Sequence, residues 1–230
     1  MKNIIFDSVS VARAGRIIIK NASFTIKTGE CVALYGPNGA GKTTILNLIN
    51  GLLFAFQGKI VVGDTTLTKN TALSVQLITG YVPQNFEVDS RIPILAKTVV
   101  LSGIYGKLGL FHYPSQQHFD KVRKIMELFE IGHIFDRPFG QISGGEKQKT
   151  MIARAMMQEP EILLLDEPFS SISESSKWKI LEIIKHWKKE KNITILLVSH
   201  EKQVIEKLCN KIFYLEEGTI VSQESIDGNL

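Results

Sequence analysis

A glycine-rich segment near the amino terminus carries the residues best suited to bind phosphate. It consists of Gly36, Pro37, Asn38, Gly39, Ala40, Gly41, Lys42, Thr43 and Thr44, and it fits the phosphate-binding loop pattern. Its glycines let backbone N–H groups converge on phosphate oxygens, and the following helix adds a positive field. Lys42 would reach the β- and γ-phosphates, and the Thr43 hydroxyl would bind Mg²⁺. A chance glycine-rich turn is the alternative, but the complete pattern favours a nucleotide site.

A pair of carboxylates follows the apolar run at residues 162–165. At the end of a buried strand, Asp166 could support the Mg²⁺ shell. Glu167 could polarise the attacking water as a general base. An Asp-Glu-Pro sequence after a strand is also compatible with a simple turn. The functional interpretation is favoured because nucleotide chemistry at the glycine-rich segment already requires an acidic group.

A third motif is the sequence Ser143-Gly144-Gly145-Glu146. Ser143 is suited to cap the next helix, and capping alone would explain it. Adjacent glycines at a helix start are costly for folding, which favours a second phosphate contact. Gln84 and His200, taken singly, are typical of a surface amide and a hydrogen-bonded turn histidine.

In this order, the motifs resemble those of the ATP-binding subunit of ATP-binding-cassette (ABC) transporters, over essentially the whole chain. The phosphate-binding loop, Gln84 in Tyr-Val-Pro-Gln, Ser143-Gly-Gly-Glu, Asp166-Glu167 and His200 in Val-Ser-His carry the resemblance. It implies ATP and Mg²⁺ as cofactors. Catalysis would fall to Lys42, Glu167 and His200, and Mg²⁺ would be held by Thr43, Gln84 and Asp166.

The resemblance also implies partners. Two copies of the chain would pair head to tail, with Ser143, Gly144 and Gly145 of one facing the ATP on Lys42 of the other. The dimer would act on integral membrane permease subunits together with an extracytoplasmic substrate-binding protein. It would be a peripheral protein on the cytoplasmic side of the inner membrane. A groove beside Gln84 and residues 93–109 would receive a short permease helix, and charge reversal at Lys107 would test that docking.

Three positions depart from the family pattern. Arg13 stands where an aromatic residue usually stacks on adenine, although a guanidinium can stack on a base as well. Glu146 replaces the usual Gln. Ser173 replaces an Asp that helps to couple the two sites of the dimer, so we expect slow to moderate ATPase activity.

A second resemblance concerns residues 99–110, together with Pro93-Ile94, Pro114-Ser115 and Asp136-Arg137. These stretches are similar to those of manganese, zinc and iron(II) importer ATPases. The physical alternative is that the glycines at 103, 106 and 109 simply break a helix. A transporter for a siderophore, amino acid or lipid is one rival, and a soluble cassette protein of translation or DNA repair is another. A small-molecule kinase fails to explain Ser143-Gly-Gly and His200 together.

Strands and helices must position these motifs, and their pattern predicts an α/β fold. We expect an ABC ATPase fold with a mostly parallel sheet core, an antiparallel amino-terminal part and an inserted helical lobe. Strands are expected near residues 4–11, 17–26, 31–34, 162–165 and 193–198, with hairpins at 58–67 and around 217–218. One domain covers 1–230, with the RecA-like core at 1–84 and 141–230 and the lobe at 85–140.

The composition is ordinary for a globular protein. The 230 residues are 44% hydrophobic, and 27 Lys and Arg against 23 Asp and Glu give a charge of +4. This small, dispersed excess does not favour nucleic acid as a partner. The two cysteines, Cys31 and Cys209, are expected to be buried, and no apolar run is long enough to cross a bilayer. Any membrane role must therefore come through a partner.

Overall fold

The computed structural model describes residues 2–86, 88–109 and 111–226, and in this part of the chain the strands form two sheets. The first sheet has the order β2-β1-β4-β5, and its pairs are antiparallel. Its strands are β1 (Ile4–Arg13), β2 (Arg16–Ile26), β4 (Gln57–Val62) and β5 (Thr65–Thr66). In β2 the buried residues Ala22, Phe24 and Ile26 alternate with exposed ones, as expected for a sheet with one face in the core.

The second sheet has the order β10-β9-β3-β8-β7-β6, and it is parallel except for the β9–β10 pair. Its strands are β3 (Cys31–Tyr35), β6 (Thr79–Val82), β7 (Ile162–Asp166), β8 (Thr194–Val198), β9 (Lys211–Glu216) and β10 (Thr219–Ser225). Every residue of β7 and β8 is buried, as the continuous apolar runs predict for strands covered on both faces.

The helices cover the faces and ends of the parallel sheet. They are α1 (Lys42–Ile49), α2 (Ala72–Ile78), α3 (Ala96–Leu101), α4 (Tyr105–Leu108), α5 (Gln116–Leu128), α6 (Gly144–Met157), α7 (Glu174–Lys191) and α8 (Lys202–Leu208). Short 3₁₀ segments occupy Ser102–Ile104, Gly132–Ile134 and Phe139–Gln141. Strands paired in parallel through helical connections confirm the predicted α/β class and its antiparallel amino-terminal part.

Alternate residues of the parallel strands face two separate hydrophobic cores, because side chains in a strand alternate between the sheet faces. In β7, Leu163 and Leu165 join a core with α5, α6 and α7. Ile162 and Leu164 of the same strand join a core with α1 and the antiparallel sheet. The parallel sheet is therefore covered by a hydrophobic core on each face.

Residues 93–140 contain helices and no named strand within the described part, as predicted. In α5, Val122, Ile125 and Met126 form a buried apolar face. α7 also presents an apolar face to the core that it shares with α5: Leu181 and Ile184 are buried, and Trp178 and Trp187 lie partly buried against it. Leu110, which belongs to the stretch similar to metal-importer ATPases, lies outside the described residues.

The sequence prediction missed α2 and β6. In α2 only Ala72 and Val75 are buried, so the helix has no long apolar face to reveal it. The helix ends at Ile78, and the next residue, Thr79, is already the first residue of the four-residue strand β6, so no turn residue separates the two. The hairpin predicted to reach Leu67 ends instead at Thr66.

Both cysteines are buried, as expected, and their sulfur atoms lie 3.2 Å apart as free thiols. None of the helices found in the described ranges is long and apolar enough to cross a membrane.

Candidate functional site

The glycine-rich segment lies between the end of β3 and the start of α1, as predicted. Gly41 caps α1 with a φ of 105°, a left-handed conformation that favours glycine. At Gly36 a side chain would meet backbone, because a Cβ there would lie 2.1 Å from the carbonyl oxygen of Leu215 in β9. The loop can therefore take this path only with glycine at both positions.

Lys42 is held over this loop. Its Nζ donates to the carbonyl oxygens of Gly36 at 2.7 Å and Pro37 at 2.9 Å. Burial lowers the pKa of Lys42, and the negative charges of Glu167 and Asp166 oppose that shift. The ammonium is thus positioned beside the backbone that would cradle phosphate, with two acidic groups close by.

Asp166 ends β7 and is almost completely buried. Neither of its carboxylate oxygens has a hydrogen-bond partner among the described residues. Burial raises the pKa of Asp166, while the nearby Thr43 hydroxyl and the Lys42 charge lower it. A buried carboxylate without a partner is costly, and a hard cation would satisfy it. Together with the Thr43 hydroxyl and the Gln84 amide, these oxygen donors fit the set that Mg²⁺ prefers.

Glu167 adopts a strained backbone conformation, with a φ of 47° that is uncommon outside glycine. Its N–H donates to the Val198 carbonyl oxygen at 3.0 Å, which ties it to β8. Burial, followed by the charge of Asp166, raises the pKa of Glu167 to about 7, and Lys42 opposes this shift. A carboxylate with a pKa near neutrality is well matched to general-base chemistry.

His200 follows the end of β8 and is exposed. Its Nε2 lies 3.4 Å from Oε1 of Glu167, and its ring lies 6.4 Å from that of Tyr35. The carboxyl ends of the neighbouring strands β7 and β8 thus bring the acidic pair and the histidine together.

These groups surround one cavity of 440 Å³. The predicted site residues that line it are Arg13, Asn38, Gly39, Gly41, Lys42, Thr43, Thr44, Gln84, Asp166, Glu167 and His200. Ile18 and Val198 also line the cavity but were not predicted, because isolated apolar strand residues carry no motif. Ala40 is buried beneath the loop, and Gly36 and Pro37 line a neighbouring cavity of 260 Å³.

Ser143, Gly144 and Gly145 do not line this cavity. Ser143 caps α6 as its sequence context predicts, in a reciprocal capping box with Glu146. A Cβ on Gly145 would lie 2.8 Å from the carbonyl oxygen of Ser171, so close packing alone explains this glycine. At Gly144 the corresponding contact is an ordinary 3.7 Å, and packing does not require glycine there.

Glu146 replaces the usual Gln and makes several polar contacts. Its Oε2 accepts hydrogen bonds from the Ser143 backbone N–H at 2.8 Å and from the Ser143 hydroxyl at 2.7 Å. Its Oε1 lies 2.8 Å from Nε2 of His133. The Ser143 hydroxyl, with further help from the Ser143 N–H and His133, lowers the pKa of Glu146 to about 2, although burial opposes this.

A phosphate-binding loop after β3, an acidic pair at the end of β7 in the same sheet and a central parallel sheet define the class of P-loop nucleoside triphosphatases. Within that class, the family described as "ABC transporter" matches residues 19–170, and the chain belongs to this family. It is an ATPase, as the sequence predicted.

Relatives resemble the chain over most of its length. It is 34% identical to a "probable metal transport system ATP-binding protein" of Thermotoga maritima, over 86% of this chain and 75% of the relative. It is 33% identical to the "manganese transport system ATP-binding protein MntA" of Synechocystis, over 94% and 82%. It is 31% identical to the "high-affinity zinc uptake system ATP-binding protein ZnuC" of Bacillus subtilis, over 87% and 85%.

Solved structures show the same fold. A dimeric post-hydrolysis state of the ATP-binding cassette MJ0796, bound to ADP and Pi, has a TM-score of 0.86 at 25% identity. The match covers 98% of this chain and 100% of that one. A nucleotide-free ATP-binding cassette from an ABC transporter has a TM-score of 0.83 at 20% identity, over 99% of this chain and 92% of that one.

No cluster of three or more His, Cys, Asp or Glu side chains that could hold a metal ion occurs within residues 2–86, 88–109 and 111–226.

Proposed function

We propose that this chain is the ATP-hydrolysing subunit of an importer for divalent metal cations, with manganese, zinc and iron(II) as the candidate cargoes. The observation that carries the proposal is the similarity to metal-transport ATP-binding proteins over 86–94% of the chain. A transporter subunit for another cargo remains the alternative.

The proposed chemistry uses the residues around the 440 Å³ cavity. Lys42 and the loop amides bind the phosphates, and Arg13 stacks on the base. Thr43, Gln84 and Asp166 would hold Mg²⁺, which would supply positive charge to offset that of the phosphates. Glu167 accepts a proton from the attacking water, and His200 stabilises the transferred phosphoryl group. Positioning and electrostatics then supply most of the catalysis.

We further propose that the working form is a head-to-tail homodimer. Ser143 lies outside the cavity of its own chain, so it could contact a nucleotide only in a second copy. The dimeric cassette structure with a TM-score of 0.86 provides a precedent for such pairing. In this arrangement Ser143, Gly144 and Gly145 would contact the γ-phosphate on Lys42 of the partner subunit, and ATP would favour the closed state.

The dimer is proposed to act on integral membrane permease subunits, peripherally on the cytoplasmic side of the inner membrane, with an extracytoplasmic substrate-binding protein. The docking face would include the exposed side chains Ile92, Ile94 and Tyr105, which lie within or next to residues 93–109. Lys107 is a poor probe of this face, because its Nζ donates to the carbonyl oxygens of Gln158 and Glu159 at the end of α6.

Tyr105→Glu is a better test of docking, and Val221→Glu is its matched control. Both residues are exposed, but Val221 lies on β10, at the opposite edge of the sheet from β6. We expect Tyr105→Glu to reduce co-purification of the permease and Val221→Glu to leave it unchanged. Equal co-purification of both variants would refute this docking face.

Cellular metal content tests the cargo. Manganese, zinc and iron would be measured by mass spectrometry in metal-limited cells carrying the wild type or Glu167→Gln. A selective fall of one metal in the variant would support import of that metal. Unchanged levels of all three, with the variant expressed and no second importer present, would refute the metal assignment while leaving the ATPase intact.

A further inference from the structure

Lys177 is a buried cation that the site described above does not use. It lies in the first turn of α7, and its side chain is only 8% exposed. Its Nζ lies 2.8 Å from Oε2 of Glu174 on the same helix, and it also forms an ion pair with the carboxylate of Glu201. A buried ammonium is costly unless it is paired, and these two carboxylates provide the pairing.

The two partners differ in where they lie. Glu174 is on α7 itself, so that ion pair joins two residues of one helix. Glu201 directly follows His200 and caps the start of α8, and its N–H donates to the Ser199 hydroxyl at 3.1 Å. The Lys177–Glu201 ion pair therefore joins α7 to the loop that carries His200.

Removing this ion pair would affect the loop in two ways. The loop would lose a charged tether next to His200, which is itself exposed. In addition, the carboxylate of Glu201, which directly follows His200, would lose its paired cation. Small displacements of a positioned group can reduce a reaction rate by one to two orders of magnitude.

We propose that Lys177 is a positioning residue for His200, holding the Ser199–Glu201 loop in its active geometry through Glu201. Lys177 itself does not line the nucleotide cavity. The inference rests on the proposed function, because His200 has a role only if the chain hydrolyses ATP at this site.

The test measures steady-state Mg-ATP hydrolysis by the purified full chain. Lys177→Met keeps most of the buried side-chain volume and removes the charge. We expect kcat to fall roughly tenfold, whereas KM for ATP should change by less than about twofold because the phosphate-binding loop is untouched. Lys177→Arg should retain kcat within about threefold of the wild type, since it restores the cation.

Glu174→Gln is the matched control, because it removes the partner on the same helix and leaves the Lys177–Glu201 ion pair. Its kcat should stay close to that of the wild type. The exchange Lys177→Glu with Glu201→Lys is the second test, and it should recover much of the activity lost by Lys177→Glu alone.

Thermal melting separates positioning from folding. A folded Lys177→Met with wild-type kcat would overturn the proposal, as would Glu174→Gln being as slow as Lys177→Met. If Lys177→Met does not fold, the charge exchange decides: recovery supports the proposal, and a folded exchange variant no faster than Lys177→Glu refutes it. The proposed function fails separately, if the wild type lacks ATPase activity or Glu167→Gln retains it.

Discussion

Replacing Glu146 by Gln should weaken the start of α6. Glu146 accepts two hydrogen bonds from Ser143, at 2.7 and 2.8 Å, and contacts Nε2 of His133 at 2.8 Å. A neutral amide can keep one acceptor oxygen toward Ser143, but it loses the charge that strengthens all three contacts. The capping box would persist in a weaker form.

The expected loss of stability follows from the charge that the substitution removes. A hydrogen bond to a charged group contributes about 1 kcal/mol more than a neutral one. Because the Glu146 side chain is 20% exposed, solvent screens part of this gain, and we expect a total loss of about 1–2 kcal/mol. For a chain of this size that corresponds to a decrease in melting temperature of roughly 2–8 °C.

The pH dependence gives a sharper signature. The pKa of Glu146 falls from 4.5 to about 2 on folding, so its stabilisation is fully present above pH 4.5. It is lost as the pH falls from 4.5 toward 2. The difference in free energy of unfolding between wild type and Glu146→Gln should therefore be largest at neutral pH and shrink as the solution is acidified below 4.5.

Denaturant unfolding followed by circular dichroism, at neutral pH and at the lowest pH at which both proteins fold, measures this difference. Glu182→Gln is the control, since Glu182 is 65% exposed and lies 3.6 Å from Lys185. We expect it to change stability by less than about 0.5 kcal/mol. Equal stability of Glu146→Gln and the wild type at neutral pH, or a difference that grows on acidification, would refute the reasoning.

Three further predictions concern the site. Arg13→Ala should weaken ATP binding about threefold, as measured by calorimetry, because Arg13 lines the cavity. Arg16→Ala should leave ATP binding unchanged. Equal effects of the two substitutions would contradict stacking of Arg13 on the base. The value of kcat/KM should increase with pH around a midpoint of about 7, because Glu167 must lose its proton to act as a base. A value of kcat/KM that is independent of pH between 5.5 and 8.5 would exclude Glu167 as that base. Gly145→Ala should lower the free energy of unfolding by about 1–3 kcal/mol, because the added Cβ would lie 2.8 Å from a carbonyl oxygen. Gly144→Ala should leave the free energy of unfolding unchanged. Equal stabilities of the two variants would refute the packing role of Gly145.

The sequence predicts those parts of the fold in which one local pattern determines one structure. The apolar runs of β7 and β8 and the glycine-rich loop before α1 belong to this group, because strand burial and phosphate binding each demand particular residues at fixed spacing. The motif residues in the cavity follow from them, since parallel strands end at one edge of the sheet. In contrast, α2 and β6 depend on packing partners far along the chain.

Contacts between distant segments are the part that sequence reasoning cannot supply. The position of Gly145 at a helix start predicts a phosphate contact, but nothing in the sequence predicts that it packs against the carbonyl of Ser171, which follows the acidic pair. Nothing in the sequence pairs Lys177 with Glu201, because a Lys in a charged helix usually points to solvent. Such relations emerge only when the sheet brings the loops after β7 and β8 side by side.

These two contacts lie on one path through the chain. The start of α6, where Ser143 would face a partner subunit, packs through Gly145 against Ser171. The segment containing Ser171 leads directly into α7, and Lys177 of α7 holds Glu201, next to His200. A continuous set of packed and charged contacts therefore connects α6 to the histidine of the same chain. Coupling between sites is carried by such chains of packed side chains and ion pairs. This arrangement makes Lys177 the informative position, because its ion pair with Glu201 is the last step of this path before the catalytic loop.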